Sequence, residues 1–173
     1  MPAEARHWIA LPTSLTAQLA AHLGGDVRVR ILSERRDRFL ANERELLGTI
    51  DRVGRVREVR LEVHGRPYVV ARTVFPASTA RGANGALLQL GTRALGSLLF
   101  SAMRAPANVR QYTSLCPAAS LWRALHGHLP DDVQRLWARR AVHLLHGQPL
   151  LVTEVFLPLL FATSAQPSGI HTR

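Results

Sequence analysis

The stretch that decides the fold runs from Val53 to Phe75 and reads VGRVREVRLEVHGRPYVVARTVF. Apolar and polar residues alternate up to Val63, which is typical of a strand with one buried face. His64-Gly65-Arg66 follows as a turn, and the residues from Pro67 onward are rich in the β-branched and aromatic side chains of a returning strand. The stretch therefore predicts a β-hairpin.

A second hairpin is predicted near the end of the chain, with strands over 138–145 and 149–157 joined by a His146-Gly147-Gln148 turn. The two turns, VHGRP and LHGQP, resemble each other, either through internal duplication or through shared turn chemistry. The other predicted elements are a helix over 12–23, a strand over 27–32, a short helix over 43–47, two short helices meeting at a bend within 87–100, and a helix around 120–125. Hairpins with helices between them predict an α+β fold on an antiparallel sheet.

The length and composition of the chain suit one domain. With 173 residues, of which 47% are hydrophobic, the chain can bury a substantial core. We assign this domain to residues 1–163. The last stretch, residues 164–173, is predicted to be a disordered tail.

The net charge is strongly positive, because 22 basic residues stand against 12 acidic ones. Such a charge suits nucleic acid or an acidic membrane surface. However, every basic residue is Arg and none is Lys, and no run of five or more occurs, which indicates the coding bias of a GC-rich genome rather than a basic patch. We therefore expect no nucleic-acid partner, although the charge would still attract a small dianionic substrate.

Several classes of protein are excluded by what the sequence lacks. Cys116 is the single cysteine, which excludes an intramolecular disulfide and a cysteine-rich metal site. The first ten residues have no apolar core of a signal peptide, and the apolar stretch over 149–162 is interrupted by Glu154 and Pro158. A cytoplasmic protein without membrane insertion is expected. No phosphate loop or dinucleotide fingerprint is present, and His143 and His146 do not make a metal set.

Two opposite charges share strand faces with apolar residues. Arg57 has the parity of Val59 and Leu61, and Glu154 has the parity of Val152 and Phe156. Buried charges are normally paired, neutralised or used. One interpretation is an Arg57–Glu154 salt bridge, and another is that the Glu154 strand is apolar on both faces, so that its parity carries no information. The functional interpretation is a site in which Arg57 binds a carboxylate and Glu154 accepts a hydrogen bond or a proton.

Other polar residues are ambiguous by pattern alone. Arg72 has the parity of Val70 and Val74, and it fits a second carboxylate contact or a structural ion pair equally well. His64 and His146 lie in the turns, where a solvated role is favoured over catalysis.

The sequence resembles the bacterial chorismate lyase family, which makes 4-hydroxybenzoate for ubiquinone. The resemblance extends from about Val53 to Pro158. The resemblance rests on several short sequence blocks. Their order and spacing together are specific to the family, although no single block is. The blocks are Arg57-Glu58, RTVFPAST over 72–79, the Leu-Gly steps at 90–91 and 95–96, Leu99-Phe100, LWARR over 136–140, and PLLVTEVFLP over 149–158.

The resemblance implies roles for three residues. Arg57 matches the arginine that binds a substrate carboxylate, Glu154 the glutamate at the ring hydroxyl, and Leu95 a leucine that contributes a backbone contact. It also implies an antiparallel sheet of about five to six strands covered by helices, chorismate as substrate, a monomer, and no metal or organic cofactor. The N-terminal part is shorter than in the family, and extra residues lie within 113–135, so the resemblance does not place the segment that closes the pocket.

Two alternatives share this architecture. One is a non-catalytic small-molecule sensor domain of the same superfamily, although no helix-turn-helix is apparent. The other is a lyase that releases another hydroxybenzoate isomer, such as the 3-hydroxy product.

Overall fold

Six strands form one fully antiparallel sheet. The computed structural model describes residues 3–11, 13–81, 84–85, 91–93, 95 and 109–164. The strands are β1 Arg28–Arg38, β2 Val53–Val63, β3 Arg66–Phe75, β4 Val109–Leu115, β5 Leu136–Leu145 and β6 Gln148–Phe156. Their order across the sheet is β1-β2-β3-β6-β5-β4. The two predicted hairpins, β2–β3 and β5–β6, therefore lie side by side at the centre.

Helices cover both faces of the sheet. The described helices are α1 Ala3–Ala10, α2 Leu15–Leu23, α3 Ala41–Leu47, α4 Ser120–Ala124 and α5 Pro158–Ser164. On the face that carries Leu61, Val69 and Phe156, called the front face below, α1, α2 and α5 bury one hydrophobic cluster. On the other face, called the back face, α4 packs over Val70 and Val155, and α3 packs beside them. None of the described helices is long and apolar enough to cross a membrane.

Both hairpins turn on a His-Gly pair with the same backbone geometry. His64 and Gly65 have φ of 50° and 75°, and His146 and Gly147 have φ of 47° and 76°. Two successive positive φ angles mark the type I′ turn that matches the twist of paired strands, and glycine adopts the second position without steric cost. Shared turn chemistry is thus sufficient for the similarity of the two turns, with or without an internal duplication.

Several elements differ from the sequence prediction. The first strand extends to Arg38 rather than ending at residue 32, because its charged second half pairs with the edge of β2, where Arg55 binds Glu34 at 2.8 Å. The polar edge strand β4 and the helices α1 and α5 were not predicted, whereas α3 and α4 lie where helices were expected. The bend predicted within 87–100 falls mostly outside the described residues. Helix α5 includes Ser164, the first residue of the predicted tail, and residues 165–173 lie outside the described ones.

Candidate functional site

Arg57 and Glu154 lie on the same face of the sheet. Strand parity predicted the face of Arg57, whereas the parity of Glu154 carries no information, because Leu151 and Val155 on the other side of its strand are also fully buried. Arg57 on β2 is opposite Thr73 on β3, and Glu154 on β6 is opposite Ala71 on β3. Side chains that pair directly across antiparallel strands point to the same side, so both charges project from the front face. Two strand spacings and an offset of two residues place their Cα atoms roughly 12 Å apart.

Arg57 is a buried cation whose hydrogen bonds are incomplete. Its side chain is 2% exposed. Nη2 donates to the carbonyl oxygens of Gly91 at 2.7 Å and Arg93 at 3.3 Å. Nε and Nη1 are buried, and neither has an acceptor in the described part of the chain. Burial lowers the pKa of Arg57; the nearby Glu34 carboxylate opposes this and Arg55 adds to it. Two buried donors without an acceptor are costly, and an anionic group beside them would satisfy both.

Glu154 pairs with a residue that the sequence did not single out. Its Oε2 accepts a hydrogen bond from Nε of Arg139, which lies directly opposite on β5. The side chains of Arg139 and Glu154 are 12% and 19% exposed. The alternative of an Arg57–Glu154 salt bridge is therefore wrong, and the two predicted site residues stand apart with separate partners.

Small and apolar side chains form the floor between the two charges. Ala71 and Thr73 on β3 and Val152 on β6 point to the front face between Arg57 and Glu154. Ala71 lies directly between Val59 and Glu154. The floor thus carries a cation at one end and a carboxylate at the other, and the hydroxyl of Thr73 is the one polar group among the three side chains named between them.

The two ends of the site are closed by segments bound to its charged residues. At one end Arg57 holds the carbonyls of residues 91 and 93. At the other end Nη1 of Arg139 donates to the carbonyl oxygen of Leu11 at 2.9 Å, just after α1. The N-terminal helices thus supply a cover for the front face, which the family resemblance could not place.

Leu95 lies near the Arg57 end of the site. Its side chain is half-buried against a cluster of Phe75, Leu145 and Leu150. The backbone contact implied for Leu95 stays a prediction, and Gly96 lies outside the described residues.

Arg72 belongs to a structural ion-pair cluster on the back face. Its Nε donates to Glu43 of α3 at 2.7 Å, and its Nη1 donates to Glu58 at 2.6 Å. Burial opposes the charge of Arg72, but these two carboxylates outweigh it and raise the pKa of Arg72. Of the two interpretations from the sequence, the ion pair is the correct one. Glu58, which has the parity of the polar residues on β2, is only 2% exposed because α3 and the segment before it cover this face.

The two turn histidines make anchoring contacts. Nε2 of His64 lies 3.2 Å from the carbonyl oxygen of Leu23, at the end of α2. Nδ1 of His146 lies 2.7 Å from Oδ1 of the buried Asn84, whose amide nitrogen donates to the carbonyl of Leu145. Both histidines lie away from the floor between Arg57 and Glu154.

His143 is a second front-face residue that the sequence did not assign to the site. It lies on β5 opposite Leu150 and is half-buried. Burial lowers the pKa of His143; Glu154 opposes this effect, while Arg110 and Arg139 add to it. The imidazole is therefore expected to be neutral near pH 7.

Acid should destabilise the protein partly through His143. Because the folded-state pKa is lowered, the unfolded chain takes up the proton first as the pH falls through about 6.5, the ordinary value for histidine. This contribution to stability is complete above that pH and declines below it, until the folded pKa is passed.

In urea unfolding at pH 7.5 and 5.0, His143→Gln should lose less stability on acidification than the wild-type protein. The matched control is His126→Gln, at an exposed position, which should follow the wild type. Equal losses in the two variants would contradict the prediction.

The sequence model of the family described as "Chorismate lyase" matches residues 1–166. The chain belongs to the chorismate lyase family. The resemblance drawn from the blocks between residues 53 and 158 is thereby confirmed, and the match also includes the N-terminal helices.

Curated relatives within the chorismate lyase family match most of the chain. A protein from Methylococcus capsulatus is 34% identical over 158 residues, which cover 90% of this chain and 95% of the relative. One from Azoarcus sp. is 37% identical over 172 residues, covering 94% of this chain and 88% of the relative. Both carry the name "Probable chorismate pyruvate-lyase".

Solved structures confirm the predicted fold class. The effector domain of PhnF from Mycobacterium smegmatis has a TM-score of 0.60 at 15% identity, over 86% of this chain and 90% of that one. A transcriptional regulator of the GntR family from Bacillus cereus has a TM-score of 0.54 at 14% identity, over 84% and 99%. At these identities the likeness shows the fold alone: an α+β domain on an antiparallel sheet.

Proposed function

We propose that this protein eliminates pyruvate from chorismate and releases 4-hydroxybenzoate, using neither a metal nor an organic cofactor. The single observation that carries the proposal is Arg57, a buried cation with two donors that lack an acceptor in the described part of the chain. It lies on the same face as a carboxylate about 12 Å away by Cα position, across an apolar floor. Membership of the chorismate lyase family names the substrate that fits this pattern.

Arg57 binds the ring carboxylate of chorismate in this proposal. A guanidinium buried with two donors that lack an acceptor has already lost the hydration of those donors, so a bound carboxylate gains strong charge-assisted hydrogen bonds. The bonds from Nη2 to the carbonyls of Gly91 and Arg93 hold the guanidinium in place before the substrate arrives. Substrate binding therefore does not have to order the Arg57 side chain, which avoids that entropy cost.

Glu154 accepts a hydrogen bond from the ring hydroxyl through Oε1, the oxygen that Arg139 does not occupy. In the reaction, the ether bond between the ring and the enolpyruvyl group breaks, and pyruvate leaves as its enol. The ring carbon that bears the hydroxyl loses its proton, and the ring becomes aromatic. Aromatisation drives the step, so the protein needs only to orient the substrate and stabilise the developing charge.

Leu95 contributes a backbone hydrogen bond to a substrate oxygen. Its position supports this role, because its side chain packs on the front-face cluster that contains Phe75 and Leu150, and it follows the 91–93 segment that Arg57 binds. With Arg57 and Glu154 it completes the set of residues to which we assign substrate contacts.

Removing the carboxylate of Glu154 should slow turnover more than it weakens binding. With Glu154→Ala or Glu154→Gln we expect kcat to fall by about 100-fold while KM changes by about threefold or less, because the contact strengthens as charge develops. The measurement is steady-state release of 4-hydroxybenzoate from chorismate. Glu62→Gln is the matched control, since Glu62 pairs with Arg60 on the back face at 2.7 Å. Near-normal turnover in both Glu154 variants would defeat the assigned role.

A further inference from the structure

We infer that Arg139 is a positioning residue that holds Glu154 in its productive orientation and ties the end of α1 to the active site. The inference rests on the proposed function, because it assigns to Arg139 a role in the same reaction. Three contacts of one side chain carry it: to Glu154, to the backbone after α1, and to the ring of Phe156.

The contact with Glu154 is set by the strand register. Arg139 and Glu154 are a directly opposed pair on β5 and β6, so their side chains leave the sheet side by side. Nε of Arg139 donates to Oε2 of Glu154. Oε1 has no hydrogen-bond partner in the described part of the chain. Arg139 therefore occupies one carboxylate oxygen and leaves the other for the substrate hydroxyl.

The second contact joins Arg139 to the segment that covers the site. Nη1 donates to the carbonyl oxygen of Leu11 at 2.9 Å, and it lies within 3.5 Å of the carbonyls of Trp8 and Ile9. The last carbonyls of a helix lack intrahelical partners and carry the negative end of its dipole, so a guanidinium is favourable there. Arg139 thereby fixes the end of α1 beside Glu154.

The third contact limits the movement of the guanidinium itself. Its central carbon lies 5.8 Å from the ring centroid of Phe156, which is fully buried on the front face. A cation over an aromatic ring gains a modest attraction and loses rotational freedom. A planar guanidinium can serve a carboxylate, a helix end and a ring together, which the single ammonium of lysine cannot do.

Arg140 provides a control of the same residue type at the next position. It points to the back face, and its Nε donates to Oε1 of Gln111 at 2.8 Å in an exposed setting. Arg140→Ala removes the same charge and the same bulk from the same strand. It removes neither the contact with Glu154 nor the contact with α1.

The test is a double-mutant cycle between Arg139 and Glu154. Arg139→Ala should lower kcat by about 30-fold with KM within about threefold, because displacement of a reacting group by about an ångström is costly. In the Glu154→Ala background the same substitution should change kcat by less than about threefold, because the residue on which it acts is absent. Arg140→Ala should leave kcat unchanged relative to the parent protein in both backgrounds.

Each outcome of the cycle decides the inference. If Arg139→Ala leaves kcat unchanged, or lowers it equally with and without Glu154, then Arg139 has no positioning role and the inference is overturned. Circular dichroism and thermal melts show whether each variant is folded, and Arg139→Lys replaces Arg139→Ala in the cycle if the alanine variant unfolds. The lysine variant keeps a cation beside Glu154 and should recover part of kcat.

Failure of the proposed function gives a different result. If the wild-type protein releases no hydroxybenzoate from chorismate, the lyase proposal fails whatever Arg139 does. The same double-mutant cycle is then measured with the dissociation constant of 4-hydroxybenzoate, obtained by calorimetry, in place of kcat. Non-additive losses in that measurement still support positioning of Glu154 by Arg139, and additive losses contradict it.

Discussion

Replacing Arg57 with methionine is expected to lower kcat/KM for chorismate by at least about 100-fold, mainly through KM, without destabilising the fold. The loss arises because the cation for the substrate carboxylate is removed from a buried site. Stability should change little, because the loss of the two Nη2 bonds to the carbonyls of Gly91 and Arg93 is offset by the removal of two buried donors that have no acceptor in the described residues. Steady-state kinetics, calorimetry with 4-hydroxybenzoate and thermal melts measure the two effects.

The matched control for this prediction is Arg60→Met. Arg60 lies three residues later on the same strand, but it points to the back face, pairs with Glu62 at 2.7 Å and is more exposed. Its substitution should change KM by about threefold or less, since a partly exposed ion pair contributes little. A wild-type KM in Arg57→Met would contradict the assigned role. Unfolding of Arg57→Met by several kcal/mol would show instead that Arg57 is structural.

Replacing Arg72 with methionine is expected to have the opposite signature: a large loss of stability and little change in KM. The substitution leaves Glu43 and Glu58 buried without their cation, and breaking a buried ion-pair cluster in this way costs about 3–5 kcal/mol. For a chain of this length that corresponds to a fall in Tm of about 10 °C. Urea unfolding gives the free energy, and kinetics below the new Tm give KM.

A further variant shows whether the loss of stability in Arg72→Met comes from the two unpaired carboxylates or from the lost packing of the side chain. Adding Glu43→Gln and Glu58→Gln to Arg72→Met neutralises the two carboxylates and should recover part of the lost free energy of unfolding. A stable Arg72→Met variant with a strongly raised KM would contradict this account. It would support the other interpretation from the sequence, in which Arg72 contacts a substrate carboxylate.

The central hairpins were predictable because their signals are local. Alternation over β2 and the His-Gly turns identify both hairpins, and parity places Arg57 on the apolar face. The register of β5 and β6 was not predicted correctly. The predicted three-residue turn His146-Gly147-Gln148 pairs Leu145 with Pro149 and puts Arg140 opposite Glu154, whereas the observed turn has two residues, pairs Leu145 with Gln148 and puts Arg139 there.

Other features depend on contacts distant in sequence and could not be read from the strands alone. Glu58 has the parity of the polar residues on β2, yet it is buried because α3 and the segment before it lie over that face. Strand β4 lacks apolar alternation because it is an edge strand, and its existence depends on pairing with β5. The cover supplied by α1 depends on Arg139, which lies 128 residues from Leu11 in the chain.

Incubation of the purified protein with chorismate, followed by identification of the products, tests the central claim most directly. We predict 4-hydroxybenzoate and pyruvate in equal amounts, at a rate that dialysis against a chelator does not change. Tight binding of chorismate without turnover would indicate a sensor domain, and 3-hydroxybenzoate would indicate a lyase of different regiochemistry. Either result would contradict the proposed function.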